Sequence, residues 1–105
     1  MRQIEKQMIQ AIRAKRNWKS GNTEVVQTRD YVANIAIAEI YLHGNHIATA
    51  HPDTWDRAPF ANPNRDTFRY WPTATTRSRL RALGVNASIK NGQAMLDGMA
   101  VGWGV

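Results

Sequence analysis

The sequence of 105 residues contains no cysteine, which excludes a disulfide framework and any thiolate metal site. It also contains no long apolar run. The longest, from Ile35 to Leu42, is interrupted by Glu39 and is much shorter than the roughly 20 residues that a membrane-spanning helix needs. The first residues do not form the apolar core of a secretory signal peptide. We therefore expect a cytoplasmic protein that does not bind membranes.

Acidic residues are also few, since 8 Asp and Glu stand against 14 Lys and Arg and leave a net charge of +6. Such a balance favours polyanionic partners, because binding releases the counterions condensed on phosphate. Many small basic proteins have no such partner, so the charge must also be clustered to be informative. The length and the hydrophobic fraction of 43% predict one globular domain over residues 1–105.

The N-terminal segment from Arg2 to Arg16 has the pattern of an amphipathic helix. Ile4, Met8, Ala11 and Ile12 recur at helical spacing, with basic residues on the other side. This pattern predicts a helix with one stripe facing a core.

Three strands are predicted next, from their β-branched and aromatic residues and the turns between them. They cover residues 23–28, 31–43 and 46–50, with turns at Arg29-Asp30 and Gly44-Asn45. Residues 51–66 contain three prolines and no periodicity, which predicts a loop longer than usual. Residues 67–71 are predicted to form a further strand.

The segment from Trp71 to Gly84 has both a start and a stop signal for a short basic helix. Thr73 or Thr75 can accept a hydrogen bond from a free backbone N–H of the first turn. Gly84 suits a left-handed ending in which the following valine packs back on Leu80, as in a Schellman motif. Leu80 and Leu83 mark the buried side.

The C-terminal segment predicts a β-hairpin, because Asn91-Gly92 is the strongest short turn signal in the chain. Two alternatives are open for the tail, residues 98–105: Trp103 packs against the rest of the domain, or the tail is frayed. The whole order predicts an α+β fold: an N-terminal amphipathic helix, a mostly antiparallel sheet with helices on one face, a second short basic helix and a C-terminal β-hairpin.

Basic and aromatic residues form the clearest candidate site. Arginine binds phosphate through two N–H groups, tryptophan stacks on bases, and a helix N-terminus favours anions. The candidate nucleic-acid-binding residues are Arg69, Trp71, Arg77, Arg79 and Arg81 around the second helix, and Lys15, Arg16, Trp18 and Lys19 at the end of the first. The competing interpretation is that the tryptophans are core residues and the charges an ordinary solvated face.

No pattern indicates catalysis or a cofactor. His43 and His46 would face each other across the predicted Gly44-Asn45 turn and could share a metal, but the spacing is not a standard zinc pattern. The aspartates near His51 and the serine of the basic helix, Ser78, match no catalytic motif. We therefore expect a protein that is not an enzyme and has no metal or cofactor.

Two segments are distinctive enough to compare with known families. The first, from Trp71 to Gly84, reads W-x-T-x-T-T-R-S-R-L-x-A-L-G, and the second, from Leu42 to Ala48, reads L-H-G-N-x-I-A. Together with shorter pieces at residues 8–12, 20–25 and 90–92, they resemble a group of small proteins of tailed bacteriophages. The loop at 51–66 is longer in this sequence. The resemblance implies a phage origin and a partner that is host machinery or nucleic acid, and it carries over no activity.

These observations predict a phage-encoded binding protein that acts in the cytoplasm of the infected host. The leading hypothesis is that it binds DNA or RNA through the basic helix and Trp71. The alternative is an inhibitor of a host protein, such as a polymerase, nuclease or defence factor, that docks through the same basic patch or the long loop. A third hypothesis is self-association through the tail and exposed hairpin edges.

Overall fold

A computed structural model describes residues 1–54 and 61–101 as two antiparallel sheets, three α-helices and one turn of 3-10 helix at Pro52–Thr54. The helices are α1 (Gln3–Arg13), α2 (Arg65–Tyr70) and α3 (Ala74–Ala82), and the strands are β1 (Trp18–Ser20), β2 (Thr23–Asp30), β3 (Ile35–Leu42), β4 (Asn45–Ala50), β5 (Ala61–Pro63), β6 (Ala87–Lys90), β7 (Gln93–Leu96) and β8 (Met99–Ala100). The larger sheet has the order β1-β2-β3-β4-β5 and the smaller β6-β7-β8. The predicted α+β class is confirmed.

Helix α1 buries the predicted stripe, since Met8, Ala11 and Ile12 are fully buried. It ends three residues earlier than predicted because Lys15 adopts a left-handed backbone conformation (φ 55°). The N–H of Arg16 then donates to the carbonyl of Ala11 at 3.1 Å, which closes the helix in a Schellman-type ending.

The first predicted turn, at Arg29-Asp30, is wrong. Both residues belong to β2 and pair with Ala36 and Ile35 of β3, so the turn lies at residues 31–34. The carboxylate of Asp30 accepts hydrogen bonds from the N–H groups of Val32 (2.9 Å) and Ala33 (3.1 Å). Asp30 therefore stabilises the turn from the last strand position instead of forming it.

The second predicted turn is displaced by one residue. Leu42 pairs with Asn45, so the two turn residues are His43 and Gly44, both with positive φ (52° and 78°). Positive φ at both turn residues is typical of the two-residue hairpin turn whose twist matches the twist of the flanking strands. The sequence prediction placed glycine at the first of the two turn positions, whereas the structure places it at the second, after His43. His43 and His46 are therefore not opposite each other, and His46 pairs with Tyr41.

Residues 61–71 differ from the prediction of a loop followed by a strand. Residues 61–63 form β5, which pairs with β4, and residues 65–70 form α2. The Asn64 side chain caps this helix by accepting from the N–H of Thr67 at 3.2 Å, and Phe68 is buried. The cap and the burial of one aromatic side chain outweigh the strand preference of the local sequence. Residues 55–60 of the predicted loop lie outside the described residues.

Helix α3 confirms the predicted signals at both ends. The Thr73 hydroxyl accepts from the N–H of Thr76 at 3.2 Å. At the other end, Gly84 has φ 83°, and the N–H of Val85 donates to the carbonyl of Leu80 at 3.0 Å. This is the expected Schellman motif.

The C-terminal hairpin is also confirmed, with Lys90 paired to Gln93 across the turn Asn91-Gly92. A third strand, β8, extends this small sheet, and it was not predicted. Trp103 and the rest of the tail after residue 101 lie outside the described residues. One cluster of buried apolar side chains joins the inner face of the large sheet to the helices and to Ala87, Ala94 and Leu96 of the small sheet.

Candidate nucleic-acid interface

The junction between α2 and α3 presents two adjacent aromatic side chains to solvent. The backbone leaves the helical conformation at Trp71 (φ −132°, ψ 67°), and Pro72 has no N–H with which to continue the helix. Tyr70 is 67% exposed and Trp71 is 52% exposed. The guanidinium carbon of Arg69 lies 5.2 Å from the centroid of the Tyr70 ring, a cation–π distance.

A cleft of about 210 Å³ opens beside Trp71, between this junction and the β3–β4 turn. Its lining residues are Leu42, His43, Asn45, Ile47, Thr67, Trp71, Thr73 and Thr76. The cleft is formed by three elements that sequence reasoning treated separately. The β3–β4 turn lines the cleft only because it lies next to residues 67–76, which are distant from it in the sequence.

Two of the three predicted arginines of α3 remain at the surface or near it. Arg81 is exposed, although its Nε donates to the carbonyl of Ala87 at 2.7 Å. Arg77 is half-buried, and its Nε has no hydrogen-bond partner within the described residues. Of the two, only Arg81 is exposed to solvent.

Arg79 is placed in the core, and this corrects its assignment to the binding surface. Its Nη1 lies 2.8 Å from Oε2 of Glu5, its Nε donates to the Thr23 hydroxyl at 3.1 Å, and only 3% of the residue is exposed. The Ser78 hydroxyl donates to the same Glu5 oxygen at 2.5 Å. A guanidinium held in this way has no N–H available for a phosphate outside the protein.

The sequence contains a pattern that indicates the ion pair between Glu5 and Arg79. Glu5 falls on the same helical face as Met8 and Ile12, so the buried stripe of α1 contains a carboxylate. A carboxylate on a buried face needs a positively charged partner, and Arg79 lies on the buried face of α3 with Leu80. Pairing the two required knowing that α1 packs beside α3.

The protonation of Glu5 is set by this network. Burial alone would raise the pKa of Glu5. The hydrogen bonds from the Ser78 hydroxyl, the Arg2 backbone N–H and the Arg79 guanidinium outweigh burial and lower the pKa below its ordinary value. Glu5 is therefore a carboxylate at neutral pH and serves as the buried partner of Arg79.

Two of the predicted residues at the end of the first helix, Lys15 and Arg16, lie away from the α2–α3 junction. Lys15 pairs with Asp53 at 2.5 Å, and the carbonyl of Arg16 accepts from the side chain of Gln27. Gln27 is four residues beyond Thr23 on β2, roughly 13 Å along the strand from the end that holds the cleft. Trp18 is half-buried against the core, and Lys19 is exposed on β1. The structure thus separates Lys15 and Arg16 from the junction, whereas Lys19 lies opposite Glu24, towards the end of the sheet that holds the cleft.

A polar cluster on the outer face of the sheet has the residue types of a nucleophile, a base and an orienting group. Nε2 of His46 lies 3.0 Å from the Thr49 hydroxyl, and Nδ1 of His46 lies 3.0 Å from Nδ2 of Asn64. Because Oδ1 of Asn64 caps α2, its Nδ2 must be the donor to His46. Nε2 of the neutral ring then carries the proton and donates to Thr49, so His46 cannot take a proton from that hydroxyl.

Tyr41 belongs to the same face. Its hydroxyl donates to Glu39 at 2.8 Å, and this hydrogen bond, together with burial and the nearby carboxylates, raises the pKa of Tyr41 above its ordinary value. Tyr41 is thus protonated and held as a donor. Within the described ranges, no three histidine, aspartate or glutamate side chains are grouped closely enough to hold a metal ion.

The fold and its surface define a small basic α+β protein with an exposed aromatic and cationic junction. The chain belongs to the Kyanoviridae Gp96 protein family, whose model matches residues 1–101, and it is therefore a small protein of bacteriophages. This confirms the predicted phage origin. No curated protein and no solved structure matches it. None of the helices in the described ranges is long and apolar enough to cross a membrane.

Proposed function

We propose that this phage protein binds single-stranded nucleic acid at the α2–α3 junction in the cytoplasm of the infected host. The observation that carries the proposal is the pair of adjacent exposed aromatic side chains, Tyr70 and Trp71, with the Arg69 guanidinium against the Tyr70 ring. Stacking of bases on aromatic side chains beside cationic groups is the usual way in which proteins hold single strands. The protein contributes binding, and no chemical step is assigned to it.

The charges near the junction supply the contacts to the strand backbone. Arg69 is exposed, and Arg81 is exposed in the last turn of α3, the helix that begins three residues after Trp71. Arg77, on the same helix, is half-buried with its Nε enclosed, so it can reach a strand only through the terminal groups of its guanidinium. With a net charge of +6, the whole molecule attracts a polyanion before contact is made.

A single strand fits these features better than a duplex. Trp71 and Tyr70 can stack only on bases whose faces are free, and in a duplex those faces are covered by neighbouring base pairs. The described residues also offer no long basic helix that would lie in a major groove, since α3 is short and buries Arg79. We therefore expect single-stranded DNA or RNA to bind more tightly than duplex of the same sequence.

The experiment is fluorescence anisotropy of a labelled single-stranded oligonucleotide with Trp71→Ala, and with Tyr31→Ala as the matched control. Tyr31 is 85% exposed at the tip of the β2–β3 hairpin, so its removal deletes an equally accessible aromatic from another surface. We expect Trp71→Ala to weaken binding about tenfold, as for one stacked base, and Tyr31→Ala to leave it unchanged. Equal affinities of both variants and the wild type would contradict the assignment of the junction.

A second function, binding to a host protein, is favoured by a different observation. We define the hairpin arm as residues 28–37, which pair only with each other: the β1 pairing ends at Val25 and the β4 pairing begins at Ala38. At its tip, Val32 is fully exposed, and Arg29 fixes the turn by donating to Asn34. An apolar tip held on a projecting hairpin is typical of a protein-binding element.

This second function is tested by affinity capture from nuclease-treated host lysate with the wild type, Val32→Ser and Trp71→Ala. A host protein retained by the wild type and Trp71→Ala but lost by Val32→Ser would support docking through the hairpin arm. A partner that Val32→Ser retains in full would contradict it.

A further inference from the structure

The cleft beside Trp71 is a further feature of the α2–α3 junction, because Trp71 is both exposed and part of the cleft lining. Its volume of about 210 Å³ is below the roughly 300–1,000 Å³ of pockets that hold drug-sized ligands, so it suits a single ring system. We infer that this cleft accepts one unstacked nucleobase of a bound single strand. This inference rests on the proposed function and specifies how the same site engages the strand.

The walls of the cleft suit the face of an aromatic ring. Leu42 and Ile47 are buried core residues that give the cleft an apolar floor. Two residues with aromatic rings also line the cleft, Trp71 from the α2–α3 junction and His43 from the β3–β4 turn. A planar base enclosed by such groups gains both apolar burial and stacking.

The rim of the cleft has polar groups that can form hydrogen bonds with a base but not with an aliphatic ligand. The Thr67 hydroxyl makes no hydrogen bond within the described residues, and the Asn45 side chain uses only its Nδ2, towards the carbonyl of His43 at 3.4 Å. Thr73 and Thr76 bond each other at 2.9 Å and are therefore already satisfied. The Thr67 hydroxyl and the Asn45 carbonyl oxygen remain available for the edge of a base.

The surroundings of the cleft indicate that the base comes from a strand and not from a free nucleotide. Tyr70 follows Arg69 just outside the cleft, and its exposed ring can hold the next base along the chain. Arg69 and the charges of α3 would then contact the connecting phosphates, which a mononucleotide mostly lacks. Binding of the strand should therefore exceed that of the mononucleotide.

The cleft is tested by filling it. Thr67 is half-buried, and its side chain makes no hydrogen bond that a substitution would break, so Thr67→Phe places a ring in the cleft without removing a cap. Thr67→Val removes the hydroxyl at nearly constant volume. Thr28→Phe, on the exposed hairpin arm, is the matched substitution outside the cleft. Thermal unfolding of each variant establishes that it is folded.

The measurement is the affinity of the full chain for three probes: a 12-residue single-stranded oligonucleotide, the same strand with abasic residues in the middle, and the mononucleotide. The wild type should bind the intact strand about tenfold more tightly than the abasic strand, and the mononucleotide least. Thr67→Phe should remove this preference while keeping the salt dependence, Thr67→Val should reduce the preference because it removes one polar group that meets the base edge, and Thr28→Phe should keep it. For a Thr67→Phe variant that fails to fold, Asn45→Leu narrows the rim and takes its place.

The outcomes separate the inference from the proposed function. A wild type that binds intact and abasic strands equally, or a folded Thr67→Phe that keeps the base preference, would overturn the cleft as a base site while leaving strand binding in place. Failure of the wild type to bind any strand would overturn both. A mononucleotide that binds as tightly as the strand would overturn the claim that the base comes from a polymer.

Discussion

Arg79 is the residue whose role differs most from its apparent role in the sequence. It stands between Arg77 and Arg81, yet it is the guanidinium that the fold uses internally, as the partner of Glu5. Its charge is therefore part of the stability of the protein and does not contribute to a binding surface. Reading the three arginines as one patch counted a core residue as a surface residue.

Arg79→Met should strongly destabilise the protein, because it leaves the Glu5 carboxylate buried without its cation. Removing one partner of a buried ion pair typically lowers the free energy of unfolding by about 3–5 kcal/mol. Lys6→Met, an exposed cation on the same helix as Glu5, should change it by less than about 0.5 kcal/mol. Urea unfolding of the two variants measures the difference, and similar losses in both would contradict a special role for Arg79.

The Glu5 carboxylate also makes stability depend on pH. Because its pKa is lower in the folded protein than in the unfolded chain, its contribution is fully present above about pH 5 and is lost as the pH falls below about 4.3. The difference in unfolding free energy between the wild type and Glu5→Gln should therefore shrink as the pH is lowered from 7 to 3. A difference that stays constant over this range would show that folding does not lower the pKa of Glu5.

At the scale of elements, the sequence predicted those whose signals are local. Helix α3 has its cap residue and its glycine ending within the segment, and the hairpin β6–β7 has Asn91-Gly92. Helix α2 was missed because its start depends on one asparagine and its stability on the burial of Phe68 under other elements. The β3–β4 turn was displaced by one residue because both registers offer a glycine in the turn.

The importance of the Asn64 cap gives a prediction at this scale. Asn64→Ala removes both the cap of α2 and the donor to His46, and it should lower the free energy of unfolding by about 1–2 kcal/mol. Asn64→Asp keeps an oxygen that can cap the helix, so it should lower the free energy of unfolding by less than Asn64→Ala does. Asn62→Ala, at an exposed position of β5, is the control. Chemical denaturation followed by circular dichroism would contradict the account if Asn64→Ala cost no more than Asn62→Ala.

At the scale of the whole molecule, the fold separates basic residues that the sequence grouped by charge alone. Lys15 and Arg16 lie towards one end of the large sheet, and Trp71 lies beside the β3–β4 turn at the other. Sequence reasoning named Trp71 and Arg69 but missed Tyr70, because residues 67–71 were read as a strand. The cleft could not be predicted, since it exists only where a turn and a helix junction meet.

The central claim is that the α2–α3 junction holds a single strand through stacking and a few phosphate contacts. It is tested most directly by titrating salt into complexes of the full chain with short single-stranded and duplex oligonucleotides, read by quenching of tryptophan fluorescence. We expect single strands to bind with dissociation constants of about 10⁻⁶–10⁻⁴ M and duplexes more weakly. Three phosphate contacts predict a slope of about −2 for the logarithm of affinity against that of salt. An absence of binding and quenching at low salt would contradict the claim and favour a host protein as the partner.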